Sequence, residues 1–409
     1  MVCLGASSPV CCPRCVAKHR EHARSWWTSY PAFARRNDIG CEDDMALRIV
    51  GIGTAVPKYS ISQADAAEAS KSFCYAADEQ LRLIPALYRR SGVSRRHSVL
   101  LEAPAGDPFE RQSFYSKVTG ENDGGPTTLD RMNIYEREAP PLALHAAREA
   151  VADAGVDPTS ITHVVTVSCT GFHAPGIDAA LIEDLGLRRR VERTHVGFMG
   201  CHGALNGIRV ASSFGQENSN TRALICAVEL CTLHFFYGWE PEKIVANSLF
   251  ADGAAAMVGI GGVPSSGASD WIATGNGTLL IPDSQEAMTW KIGNHGFHMT
   301  LSPQVPQLIR ENVQDWLIEW LGEHSLSIED VATWAVHPGG PRILNAFGEA
   351  IGLDKKAMDV SREILAQFGN MSSATLLFIL QRLRHAGAPR PCVAVGFGPG
   401  MVVETLLLR

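Results

Sequence analysis

The chain has 409 residues, 45% of them hydrophobic and 19% charged, with a formal net charge of −7. That acidic balance disfavours general nucleic-acid binding, which needs net basic surface, and no apolar run reaches the roughly 18–20 residues that span a bilayer. The length suffices for two fused core-forming halves, and the 38 glycines are scattered through turns instead of forming a low-complexity tract.

Residues 1–44 hold five of the 11 cysteines (Cys3, Cys11, Cys12, Cys15 and Cys41), together with His19, His22, Trp26 and Trp27. Cys12-Pro-Arg-Cys15 resembles half of a zinc site, but a second ligand pair of regular spacing is missing. Positive charges follow the apolar residues, an order that does not suit a secretory leader. The expectation is a disordered extension, or a start assigned upstream of the real one at Met45. From Ala46 the character changes, and 47–57 reads as a buried first strand and turn. Further strands are predicted over 161–168, 221–228, 253–260, 331–336 and 391–397, and amphipathic helices over 141–154 and 303–321. This alternation is that of an α/β protein. Gly-Gly-Val-Pro-Ser-Ser-Gly from residue 261 marks a loop, which would divide residues 45–262 from 263–409.

The chemistry centres on three residues. Cys201 follows a short apolar strand and a glycine and precedes a helix-forming stretch, so its sulfur falls at a helix N-terminus, where unpaired N–H groups favour a thiolate. By itself the pattern fits a buried, inert cysteine equally well. His337 emerges from the strand 331–336 into Pro338-Gly339-Gly340, where a side chain can point into a cleft; a lone histidine there is usually structural. Asn370 precedes Met371-Ser372-Ser373-Ala374 at the start of a second apolar helix, where an N-cap role would explain it. Together they supply a thiolate, a cation partner that keeps it ionised, and a second donor for a developing oxyanion, the set needed for carbon–carbon bond formation on thioesters.

These residues, with Thr170-Gly-Phe-His-Ala-Pro-Gly176, Leu249-Phe-Ala-Asp-Gly253, Gly369-Asn-Met-Ser-Ser373 and Gly396-Phe-Gly-Pro-Gly400, make a chain that resembles a type III polyketide synthase of the chalcone and stilbene synthase-like family, from about Met45 to Arg409. The resemblance matches Cys201, His337 and Asn370 to the family's catalytic residues, including the spacing of 33 (370 − 337) between the last two. It implies a thiolase-like fold of two similar halves in five layers, αβαβα. It implies an acyltransferase that loads an acyl-CoA starter on Cys201, extends it with malonyl-CoA by decarboxylative condensation and cyclises the product. No cofactor beyond the CoA thioesters, no metal and no acyl carrier protein is implied. A homodimer in the cytoplasm is expected, although Ala174 is too short to reach across to the partner's cavity as the methionine of plant relatives does.

The resemblance also carries substrate residues. Phe250 and Phe297 match rings beside the malonyl carboxylate and at the cavity mouth, where an apolar face would promote loss of carbon dioxide; without the blocks around them both would read as core aromatics. Cys169, Cys231 and His234 match threonines that shape the plant pocket, and Trp290 lies near a small glycine there. The weakly polar cysteines suit an aliphatic chain, so the expected starter is a fatty acyl group and the expected product an alkylpyrone or alkylresorcinol, as in bacterial members. Arg90 stands at a CoA-binding basic position, amid Arg89, Arg95 and Arg96, which would otherwise form a solvated basic face. The alternative is a ketoacyl synthase of the initiating type, which shares Cys, His and Asn but uses a carrier protein.

Overall fold

The computed structural model describes residues 47–262 and 271–409. The cysteine-rich N-terminal segment, its zinc-like pair and the expected break after residue 262 lie outside the described residues. The chain opens with β1 (Leu47–Ala55), the short β2 (Ser60–Ser62), three short helices α1 (Gln63–Lys71), α2 (Asp78–Leu81) and α3 (Ile84–Arg89), and β3 (Arg95–His97). The long α4 (Thr128–Ala154) leads to β4 (His163–Ser168), α5 (Ile177–Leu185), β5 (Glu192–Gly197), α6 (Gly203–Glu217), β6 (Arg222–Leu230), α7 (Pro241–Leu249) and β7 (Asp252–Ile260). Then come β8 (Trp271–Leu280), the hairpin β9 (Met288–Gly293) and β10 (Gly296–Leu301), α8 (Val305–Glu323), β11 (Thr333–Val336), α9 (Pro341–Ile351), α10 (Asp359–Phe368), α11 (Ser373–His385), β12 (Cys392–Gly398) and β13 (Val402–Leu408).

The strand order β11-β12-β13-β8-β1-β7-β6-β4-β5 contains the same pattern twice. From β1 the neighbours β7 and β6 follow antiparallel and β4 parallel. From β8 the neighbours β13 and β12 follow antiparallel and β11 parallel. The two halves meet where Leu47–Ile49 of β1 pairs with Trp271–Ala273 of β8. Alternation of side chains across each strand sets the layers. Val164 packs with the apolar face of α4, whereas Val165 and Val167 turn to α6 and α11. In the second half Ala335, Cys392 and Ala394 face that same pair of central helices, while Trp334, Val336, Val393 and Val395 pack against α8 and α9. The layers are therefore helix, sheet, helix, sheet, helix, as the thiolase-like expectation requires.

The predicted strands are all present, with ends displaced by one or two residues. The helix predicted from residue 141 begins instead at Thr128. Thr127 caps it by accepting from Asp130 N, and the buried stripe Tyr135, Ala139, Leu142, Ala143, Ala146, Ala147 and Ala150 runs on through Pro140 and Pro141. Continuous burial of that stripe outweighs the N–H bonds the two prolines lack. The helix lies so close to β1 that a Cβ on Gly53 would be 2.2 Å from Ala150 N, so glycine is required there. No helix among the described residues is long and apolar enough to cross a membrane.

Candidate active site

Cys201 reaches its position through a forced turn. After β5 the backbone turns through Phe198 (φ 58°) and Gly200 (φ 78°), then a single 3-10 turn over Gly200–His202 leads into α6. A Cβ on Gly200 would lie 2.3 Å from Pro399 Cδ, which adds a steric reason for glycine to its left-handed backbone. The thiol therefore stands at a helix N-terminus as expected, but it is buried, and burial pushes it up to about 12. Hydrogen bonds from Ser372 and Asn370 pull it down, and the charge of nearby Glu229 raises it.

His337 directly follows β11, and its backbone N donates to Val395 O at 2.8 Å. Neither ring nitrogen has a hydrogen-bond partner, and burial, assisted by His202, pushes the ring down to about 3. Away from water each group favours its neutral form, and no hydrogen bond joins the His337 ring to the sulfur.

Asn370 is held by main-chain bonds to Leu249 O (2.8 Å) and from Ala251 N (2.9 Å), an isolated bridge that sets it beside Phe250. It is not the helix cap, since α11 starts at Ser373 with Ser372 in the cap position. Its Oδ1 accepts from Ser372 N at 2.9 Å, which fixes the amide, and it lines a cavity together with Cys201.

Three small cavities, each about 20 Å³, surround these groups. A space of that size holds about one water molecule. Cys201, Cys169, Cys231, Trp290 and Ser372 line the first; Cys201, His337 and Asn370 line the second; Cys231, His234, Trp290 and Phe297 line the third. Phe250 faces all three, and Met288 and Met299 share the first two. Trp290 stands between the first and third, with Nε1 donating to Cys169 O at 2.7 Å. Phe297 lines the third of these cavities without lining the two that contain the thiol, and is stacked on His234 at 4.3 Å. His234 has both nitrogens occupied, Nε2 on Thr170 O (2.7 Å) and Nδ1 accepting from Phe297 N (3.0 Å), and burial holds its ring down at about 3. It anchors a wall and has no free nitrogen for acid–base work.

A larger cleft of about 310 Å³ contains Arg90, Arg342 and Glu242 and shares Leu249, Gly339 and Ile343 with the His337 cavity. Arg96, by contrast, is buried and donates to the carbonyl oxygens of Asn247, Ser248 and Phe250, so it braces the Phe250 turn and is withdrawn from any solvated basic face. Sequence reasoning missed Ser372, the methionines and Glu229. The last accepts from Cys169 N (3.0 Å), Thr170 Oγ1 (2.8 Å) and Ser373 Oγ (2.5 Å), and a lone acid inside the apolar run 223–230 was its available signal. Among the described residues no group of three or more His, Cys, Asp or Glu could hold a metal ion.

Comparison with known proteins fixes the class. The N-terminal domain model of chalcone and stilbene synthases matches residues 40–264, and the C-terminal domain model matches residues 274–409. The chain belongs to this family, the type III polyketide synthases, acyltransferases of the thiolase fold that work on CoA thioesters. It is 30% identical over 372 residues to the alpha-pyrone synthesis polyketide synthase-like Pks18 of Mycobacterium tuberculosis, covering 88% of this chain and 90% of that one. It is 31% identical over 371 residues to 1,3,6,8-tetrahydroxynaphthalene synthase of Streptomyces peucetius subsp. caesius, covering 90% and 94%. Among solved structures, PKS-I of the brown alga Ectocarpus siliculosus superposes with a TM-score of 0.82 at 30% identity, covering 90% of this chain and all (100%) of that one.

Proposed function

We propose that Cys201 is the acyl-carrying nucleophile, that His337 and Asn370 are its donors, and that the starter is an aliphatic acyl-CoA which leaves as an alkylpyrone or alkylresorcinol-type product. The observation that carries this reading is the convergence of one thiol, one neutral imidazole without a partner and one oriented amide on adjoining cavities faced by Phe250.

The sulfur of Cys201 attacks the starter thioester, its S–C bond forms as the S–C bond to CoA breaks, and the thiol proton leaves with CoA. Two easier transfers then replace one difficult one. Malonyl-CoA enters next from the Arg90 and Arg342 cleft, whose two guanidinium groups suit the phosphates of CoA. As carbon dioxide departs, the electron pair moves into the thioester carbonyl, and N–H groups of His337 and Asn370 donate to the enolate oxygen. Each such donor is typically worth about 3–4 kcal/mol of barrier. The Phe250 ring disfavours the malonyl carboxylate and favours neutral carbon dioxide. The enolate carbon attacks the acyl carbonyl, and the sulfur leaves as thiolate, ready to accept the lengthened chain.

The lining by Cys169, Cys231, Met288 and Met299 supports an aliphatic starter, since these side chains are apolar and soft. A long chain enters the space of about 20 Å³ only if the flexible methionines or Trp290 swing aside. By family likeness the working unit is a homodimer in the cytoplasm. The test is mass spectrometry of products from purified protein given malonyl-CoA and acyl-CoA starters from acetyl to palmitoyl, with Cys201→Ala as control. Pyrone or resorcinol masses that rise with starter length and vanish in the variant support the proposal. Products from malonyl carrier protein but from no CoA pair sink it.

A further inference from the structure

Arg96 belongs to the short β3, yet its side chain is 1% exposed and ends against the last turn of α7. Nη1 donates to Asn247 O at 2.6 Å and to Phe250 O at 3.0 Å, and Nη2 donates to Ser248 O at 2.6 Å and to the side-chain oxygen of Gln63. All four acceptors are neutral. Leu249 O, between them in the chain, accepts instead from Asn370 N at 2.8 Å, and Asn370 O accepts from Ala251 N at 2.9 Å. Gly369 packs into the same place: a Cβ there would lie 2.8 Å from Ala251 Cβ and 3.5 Å from Arg96 Cβ. One guanidinium thus grips the chain on both sides of Leu249, and Leu249 carries the bridge to Asn370.

We propose that Arg96 is a positioning residue for malonyl decarboxylation, and that its planar fork sets the Phe250 ring and the Asn370 amide together. The proposal rests on the reading of Phe250 and Asn370 as groups that act on malonyl-CoA. A helix end leaves carbonyl oxygens without partners, and its dipole favours a cation there. Apolar packing alone could hold such a turn, whereas burying a charge that faces only neutral oxygens lowers stability. A guanidinium in return fixes several oxygens in one plane, which the single nitrogen of lysine does not. Arg96 lines none of the three cavities around the thiol, so it acts only through the residues it holds. Cys201 stands on a different support, the turn between β5 and α6, to which Arg96 makes none of its hydrogen bonds. Starter loading and malonyl decarboxylation should therefore depend on Arg96 to different degrees.

The test compares two rates on the full chain, acyl mass gained by Cys201 from a starter acyl-CoA and carbon dioxide released from malonyl-CoA, in the native protein, Arg96→Met and Arg96→Lys. Their ratio does not depend on the fraction of protein that is folded. A displacement of about 1 Å at reacting groups lowers a rate by about 10²-fold. The ratio of decarboxylation to loading is therefore expected to fall by about 10²-fold in Arg96→Met and about tenfold in Arg96→Lys, through kcat and with KM for malonyl-CoA little changed. An unchanged ratio, with both rates falling together or neither falling, overturns the proposal and leaves Arg96 a brace of the fold. Where the Arg96 variants do not fold, Gln63→Met removes one acceptor of the fork and is expected to lower the same ratio by about threefold, within the 0.5–1.5 kcal/mol of one hydrogen bond; an unchanged ratio there overturns it equally. Failure of the underlying reading is recognised separately, as an Asn370→Ala variant that keeps the native ratio.

Discussion

Cys169 and His337 occupy corresponding places in the two halves. Each is the first residue beyond the strand reached by two antiparallel steps and one parallel step, β4 in one half and β11 in the other. Their strand ends converge on the same group of cavities, where α/β sheets commonly bind ligands. Yet the Cys169 sulfur accepts from Gly200 N at 3.0 Å and its carbonyl accepts from Trp290, whereas the His337 ring has no hydrogen-bond partner at either nitrogen. The difference separates a residue tied into the wall from one whose ring is tied to nothing. A buried polar group without a partner has a free-energy cost, and a site that tolerates it gains a donor with nothing to release before it acts.

The largest effect expected concerns the proposed nucleophile: Cys201→Ala should lower product formation at least about a thousandfold, with no acyl mass on the protein. His337→Ala should reduce malonyl-CoA decarboxylation by about 10²–10³-fold while leaving starter loading on Cys201 far less affected, and His337→Gln should recover part of the loss by keeping a donor. Equal losses in loading and decarboxylation, measured by intact mass and carbon dioxide release, would restore the ion-pair role to His337.

Trp290→Ala would join the first and third cavities and is expected to raise the long-to-short starter ratio of kcat/KM by about tenfold, at a stability loss of about 1–2 kcal/mol from its missing bond to Cys169 O. An unchanged starter ratio would remove Trp290 from the determinants of chain length.

Acid stability sharpens the contrast further. His337 and His234 are each held down at about 3, so between pH 6.5 and about 3 the unfolded chain binds protons that the folded one refuses, and stability is lost as pH falls. Asp252, raised by burial to about 6, acts in the opposite sense from there down to its ordinary 3.8. Two histidines outweigh one aspartate, so the melting temperature should fall on acidification, and His337→Gln should flatten that fall; an equal slope in the variant would contradict the burial argument. Least affected should be Cys169→Ala, with activity within about twofold and about 1 kcal/mol of stability lost, as suits a wall residue.

Local pattern determined a great deal by itself. Runs of β-branched and apolar residues gave β1, β4, β6, β7, β11 and β12, because burial on both faces requires continuous apolar sequence. The same scale of information placed Cys201 at a helix start, His337 beyond a strand and Asn370 before a helix. The α4 start was hidden by Pro140 and Pro141, whose local preference was overruled by packing spread over seven helical turns. What only the tertiary structure decided was the state and the company of those groups. Burial pushes the Cys201 thiol up and the His337 ring down, against what a helix N-terminus and a nearby cation suggested. Arg96 was drawn inside, Trp290 became a partition, and Ser372 and Glu229, separated by 143 positions (372 − 229), came to bear on one sulfur. Protonation and hydrogen bonding depend on how much water remains and on which atoms lie within about 3 Å. Those are properties of chain crossings far apart in sequence, and a linear pattern does not contain them.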